Sequence, residues 1–323
     1  MNTLIIIAVA GVICMMAEVF RFKHGIVPII SIALVAALGS IYMDWNQGAS
    51  WFNHMLITDN YALAFSAVLV TTTLLWLMIG RSYFSVDSNT SEHSSLILFA
   101  LTGGIIMVSY SDLTMLFIGL EILSISLYVL AGSDKRNVRS NEAGLKYFLM
   151  GAFATGFLLF GIALIYGATG TFNLQEISNS LHSQNASMPG FVLAGVLLIM
   201  VGLCFKIAAV PFHFWAPDVY EGAPTLITAF MATVVKTAAF AAFYRLFSSS
   251  FVELHDTWAP SLAIISAASM IGGNILAVWQ QSLKRMLAYS SIAHAGYMLM
   301  AVVALNERSA GAILLYASSY SLA

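Results

Sequence analysis

The chain has 323 residues, of which 60% are hydrophobic and only 9% charged, and its net charge is −2. Soluble domains carry about 25% charged residues, so a water-facing globule is excluded. The charge balance likewise gives nucleic acid nothing to bind. The two cysteines, Cys14 and Cys204, lie in separate apolar blocks. Their spacing fits no metal or redox site, and they read as small buried hydrophobes. No glycine-rich phosphate loop follows a strand pattern, so no nucleotide site is legible.

The apolar residues fall in blocks long enough to cross a bilayer. Backbone groups in lipid must be paired within their own segment, so the blocks are predicted to be helices. The first covers residues 3–20 and carries its positive charge after it, at Arg21 and Lys23. A cleaved signal has its charge in front, so a retained helix with its N-terminus outside is expected. Residues 24–43 form the second span. Asp44 to Asn60 contains Trp45, Trp51 and Phe52 but no Lys or Arg, and reads as an outer loop at the interface. Spans follow at 60–80, 94–110, 112–131 and 142–167. The polar stretch from Thr169 to Met188 is a second outer loop, with a short amphipathic helix around Leu174 to Leu181. Further spans cover 189–211, 224–247, 259–280 and 286–305, and an eleventh begins near Ala310. The sequence stops at Ala323 inside an apolar run, as expected of a truncated chain.

Charge tests this map. Connections after odd-numbered spans hold Arg21, Lys23, Arg81, Lys135, Arg136, Arg139, Lys284 and Arg285. Connections after even-numbered spans hold Arg245 and Arg308. The positive-inside rule makes the odd connections cytoplasmic.

The remaining basic residues, Lys146, Lys206 and Lys236, lie within apolar blocks, as does Glu121. A charge at bilayer depth costs about 2.5–3.5 kcal/mol on insertion scales and marks a pathway when it occurs. Glu121 is central in the fifth span, too far from either edge to reach water. Lys206 lies five residues before Pro211, whose missing N–H frees the carbonyl of Ile207. A helix broken there presents a negative end to the ammonium. Burial opposes that charge and a carboxylate favours it, so the lysine can gain and lose a proton. Lys236 sits mid-span among Ala232, Thr233, Thr237 and Ala238, which permit close packing or water. Lys146 is near the start of its span, where it can either relay protons or anchor at the edge. His294, mid-span, can exchange a proton near neutral pH or serve as a satisfied core residue. Glu18 and His213 are nearer helix ends, and Glu18 can pair with Arg21.

Four stretches carry a resemblance: residues 127–154, which include KRNVRSNEAGLKYF; residues 160–171; residues 205–225, FKIAAVPFHFWAPDVYEGAPT; and residues 283–297, LKRMLAYSSIAHAGY. The chain resembles the subunit N family of bacterial NADH–quinone oxidoreductase, within the wider antiporter-like superfamily. The resemblance implies an all-α, polytopic transmembrane bundle built from inverted five-helix repeats, each with a broken helix. Helices 1–3 would occupy residues 1–90, the first repeat 91–248, and an incomplete second repeat 249–323. Glu121, Lys206 and Lys236 match the acid and the two lysines of the first repeat's proton relay, and His294 the histidine of the central axis. The implied role is proton translocation in the membrane arm, in a bacterial inner membrane and beside other membrane-arm subunits. No cofactor is expected in this chain; NAD, flavin, iron–sulfur clusters and quinone would belong to those partners. The rival readings are a cation (sodium)/proton antiporter subunit and a non-transporting scaffold of the arm.

Overall fold

The computed structural model describes residues 1–20, 25–80, 90–183 and 189–323. Arg21, Lys23 and Arg81 fall outside the described residues, as does the side chain of Glu18. Helix α1 is Asn2–Val19, α2 Ile26–Asp44, α3 Asn60–Ile79, α4 Thr90–Ser109, α5 Leu113–Ala131 and α6 Val138–Thr169. The short α7 is Leu174–His182, α8 Pro189–Ile207 and α9 Trp215–Gly222. Then come α10 Thr225–Ser249, α11 His255–Val278, α12 Leu283–Ala304 and α13 Ser309–Leu322. Nine of the described helices are long and apolar enough to cross a membrane. Every predicted span has its helix, and the amphipathic α7 lies where the polar loop was expected to hold one.

Two features depart from the sequence reading. The loop after α2 forms an antiparallel hairpin, β1 Ala49–Trp51 and β2 Leu56–Thr58. The seventh span ends at Ile207, well before Pro211, because Ala208 takes a left-handed φ of 58°. The chain then resumes as α9. The predicted span ran to 211; the helix ends at Ile207, the residue whose carbonyl Pro211 was expected to leave free.

The even-numbered connections gather on one face. Leu56 bridges Tyr110 and Asp112 bridges Asn173 in isolated β pairs. Ser250 Oγ donates to the Leu174 carbonyl at 3.0 Å, and Arg245 Nη2 meets Asp59 Oδ1 at 2.7 Å. Among the described residues, the connections that lead into α6, α9 and α12 gather on another face, where Lys146 and Arg285 both bind Asp218 and Lys284 donates to the Ala223 carbonyl. Lys135, Arg136 and Arg139 precede or begin α6 on that same face. The described connections alternate as the predicted map requires.

Small residues set the helix spacing. A Cβ built on Gly103 of α4 would lie 2.6 Å from the Gly119 carbonyl oxygen and the Leu123 nitrogen of α5. On Gly273 of α11 it would lie 2.7 Å from the Ala293 nitrogen of α12. In both pairs, α4–α5 and α11–α12, a glycine meets the position twenty residues on. Outward faces are apolar: Ile125 and Val129 of α5, and Phe153 and Phe160 of α6, are all more than half exposed, as lipid or a neighbouring membrane subunit requires.

Candidate functional site

Asp112 caps α5 by accepting from Thr114 N at 2.8 Å, which fixes the helix start and the direction of its inner face. Glu121, Ser124 and Tyr128 then follow at i, i+3 and i+7 on that face. Ser124 Oγ donates to the Leu120 carbonyl at 2.5 Å and so keeps its lone pairs for an incoming donor.

That donor is Lys206. The left-handed turn at Ala208 closes the end of α8: Ala208 N bonds the Phe205 carbonyl at 3.0 Å and Ala209 N the Cys204 carbonyl at 2.9 Å. Lys206, in this last turn, is 4% exposed. Its ammonium donates to Ser124 Oγ at 2.8 Å and to Tyr147 Oη at 3.2 Å. It also stands 5.5 Å from the centre of the Tyr147 ring, a cation–π contact. No ion pair joins Lys206 to Glu121 among the described residues, and Glu121 Oε1 is buried and without a hydrogen-bond partner. A cavity of about 10 Å³ lined by Ser124, Tyr128, Thr155 and Lys206 adjoins the pair. That is roughly the space of one water.

Lys236 forms a second centre. The turn before it, Met231–Val235, is a π-helix, and the extra residue in that turn resets which face Lys236 presents. Lys236 is 2% exposed and donates to the Ser291 carbonyl at 2.6 Å and to Ser291 Oγ at 2.5 Å. One turn further along α12, His294 Nδ1 is 2.6 Å from Tyr316 Oη. His294 lines an open cavity of about 930 Å³ between α10, α12 and α13. Glu121 and Lys206 thus belong to one interior polar group, and Lys236 with His294 to a second.

Lys146 joins neither group. It bonds Glu142 at 2.6 Å and Asp218 at 2.8 Å, while Arg285 takes the other Asp218 oxygen at 2.7 Å and Glu221 at 3.2 Å. These ion pairs rim a cavity of about 280 Å³ on the basic face and tie α6, α9 and α12 together. His213 is buried in the linker between α8 and α9. Among the described residues no group of three or more His, Cys, Asp and Glu side chains is arranged to hold a metal.

Sequence reasoning missed Ser124, Tyr147, Ser291 and Tyr316. Ser124 was accessible, one turn from Glu121 on the same face; Ser291 likewise, one turn before His294. Tyr147 follows Lys146 directly and was passed over for the charge beside it. Tyr316 carries no local signal.

Residues 110–323 match the family described as NADH:quinone oxidoreductase/Mrp antiporter, transmembrane. The chain is 45% identical to the NADH-quinone oxidoreductase subunit N of Cytophaga hutchinsonii, over all of this chain and 70% of the relative. It is 44% identical to the subunit N of Flavobacterium johnsoniae, over all of this chain and 71% of that one. The chain belongs to the subunit N family of NADH-quinone oxidoreductase. A chain of respiratory complex I from Thermus thermophilus superposes with a TM-score of 0.83 at 35% identity, over 99% of this chain and 69% of that one. A chain of the Mrp complex from a Dietzia species superposes with a TM-score of 0.85 at 19% identity, over 99% and 62%, which speaks for the shared fold alone. Subunit N membership makes the chain a multi-pass membrane protein of the antiporter-like class, as the resemblance implied.

Proposed function

We propose that this chain translocates protons in the membrane arm of a bacterial NADH–quinone oxidoreductase, with Lys206 and Lys236 as the carriers. One observation carries the reading. Both ammonium groups are buried, and both are held only by neutral hydroxyl and carbonyl oxygens, with no carboxylate in ion-pair distance among the described residues. An ammonium neutralised by a touching carboxylate is locked in its charged form; one held by hydroxyls can be discharged, because a hydroxyl can donate to the neutral amine it formerly accepted from. Glu121 lies one helical turn from Ser124, the hydroxyl that holds Lys206. A neighbouring chain that alters the charge on Glu121 would thereby bias Lys206. His294 belongs to the Lys236 group. Lys146 fits an anchoring role in the rim of ion pairs better than a carrier role.

The redox chemistry belongs, on this reading, to partner subunits that hold flavin, iron–sulfur clusters and quinone. The basic face would be cytoplasmic, with the N-terminus outside and the chain in the inner membrane.

The test is proton pumping per NADH oxidised in proteoliposomes of the assembled complex. Lys206→Ala and Lys236→Ala should each lower that ratio while the complex still assembles. Unchanged pumping with impaired assembly would assign the chain a scaffold role. Sodium-dependent proton flux without NADH would assign it to a cation/proton antiporter.

A further inference from the structure

Lys236 is buried midway along α10, and the half of α10 between it and the face of the β hairpin is closed in two ways. On the side of the helix that carries Lys236, Phe240, Phe243 and Phe247 follow at i+4, i+7 and i+11, all fully buried. Phe247 packs on Phe243 with ring centroids 4.8 Å apart, on Phe251 at 5.6 Å and on Trp258 at 4.8 Å. A stripe of phenyl rings offers a proton neither a donor nor an acceptor. The other side of the helix is polar. Tyr61 Oη donates to the Ala241 carbonyl at 2.9 Å, and Tyr110 Oη to the Ala242 carbonyl at 2.7 Å. Hydroxyls in this place could hand a proton inward from the hairpin face. Arg245 lies over the Tyr61 ring, its guanidinium carbon 4.8 Å from the ring centre. Its side chain is 8% exposed, whereas that of its partner Asp59, at 2.7 Å, is 44% exposed. Water therefore screens the carboxylate, and the pair turns its positive end inward. Arg245 Nε is buried there with no hydrogen-bond partner.

We propose that Arg245 is an electrostatic barrier that keeps protons at the hairpin face from reaching Lys236. This rests on the relay reading above, because a carrier open to that face would let the pumped protons return. A guanidinium is a permanent cation with donors only, so it neither accepts a proton nor hands one on. It also repels an excess proton that approaches the Tyr61 hydroxyl. A fixed arginine charge is a known way for a pore to exclude protons and cations. The phenyl stripe closes the remaining side of α10. A proton on Lys236 is then left with the way toward α12, where Ser291 and His294 stand. Arg245 touches none of the carriers and acts only on the path between them and the hairpin face.

The experiment measures passive proton leak. The assembled complex carrying Arg245→Leu or Arg245→Gln is reconstituted into proteoliposomes without NADH. A potassium diffusion potential drives protons inward, and a trapped pH-sensitive dye reads the influx. Both neutral variants should leak at least about threefold faster than the parent. Arg245→Lys keeps the charge, and Asp59→Asn breaks the same ion pair but keeps the cation; both should stay as tight as the parent. Adding Lys236→Ala to Arg245→Leu should bring the leak back to the parental level. If neither neutral variant leaks, the barrier is overturned. If Asp59→Asn leaks as much as they do, the ion pair merely holds the helices together, and the barrier is overturned again. A leak that persists without Lys236 would show that Arg245 does not guard that carrier, and the inference falls. None of these results decides the relay reading, which falls, and this inference with it, if Lys236→Ala pumps on NADH as the parent does.

Discussion

Replacing Lys206 by methionine separates a carrier from a strut. Methionine fills about the same volume without charge. An ammonium at bilayer depth costs about 2.5–3.5 kcal/mol on insertion scales, and replacing buried ionic groups by apolar ones of similar size is commonly neutral or stabilising by about 1–4 kcal/mol. Against this stand the two hydrogen bonds to Ser124 and Tyr147. Ser124 retains its bond to the Leu120 carbonyl, so only Tyr147 loses the partner it has now, at a cost of about 1 kcal/mol. Lys206→Met should therefore be unchanged or more stable, by ~0–2 kcal/mol on this balance. Cys204, two residues away and fully buried, reports unfolding: its labelling by a thiol reagent on heating, read on the chain by mass spectrometry, gives the midpoint. The same preparation should show reduced proton pumping. A midpoint several degrees lower, with pumping retained, would mean that the lysine holds the broken helix together, and the reasoning would be wrong.

Other substitutions probe the surroundings. Gly151→Ala places a methyl carbon 2.1 Å from Tyr128 Oη, so the ring must leave the cavity beside Lys206. About 1–3 kcal/mol of overpacking strain and slower pumping should follow, measured as above, with no titratable group altered. Asp59 both caps α3, accepting from Ala62 N at 2.8 Å, and pairs with the buried Arg245. Asp59→Asn keeps the cap and should cost about 1–2 kcal/mol, discounted because Asp59 is half exposed, while Asp59→Ala should cost about 1 kcal/mol more in thermal unfolding. Asp218→Asn weakens the bridge between Lys146 and Arg285. These groups are about a third exposed, so stability should fall by no more than about 1 kcal/mol, and its dependence on salt should flatten between roughly 0.1 and 1 M.

The spans were legible because hydrocarbon imposes a length and a charge rule on every helix. The alternating location of basic residues then tested the count, and the two faces of the fold agree with it. Glu121, Lys206, Lys236 and His294 were legible for the same reason: each violates the rule that keeps charge and polarity out of lipid. Their partners were not. Ser124, Ser291 and Tyr147 violate nothing, since a serine can satisfy itself on its own helix and a tyrosine is at home in an apolar core. Only packing shows that Ser124 takes the Lys206 ammonium. The end of the seventh span was drawn too late, at 211 in place of Ile207, for a related reason. Proline announces itself in a sequence, whereas the left-handed turn at Ala208 is imposed by surrounding contacts on a residue without conformational preference for it.

The two faces are fastened by different chemistry. On one, a hairpin and two isolated bridges join the loops mainly through backbone hydrogen bonds, with Arg245 and Asp59 alongside. On the other, the broken helix's second limb is held to its neighbours mainly by carboxylates and cations open to water. The bundle is thus built like a book: sewn at the spine, closed at the fore-edge by a clasp. Slackening from ionic strength or acid begins at the clasp, where α9 carries Trp215, so the solution bathing that face has a mechanical handle on the interior.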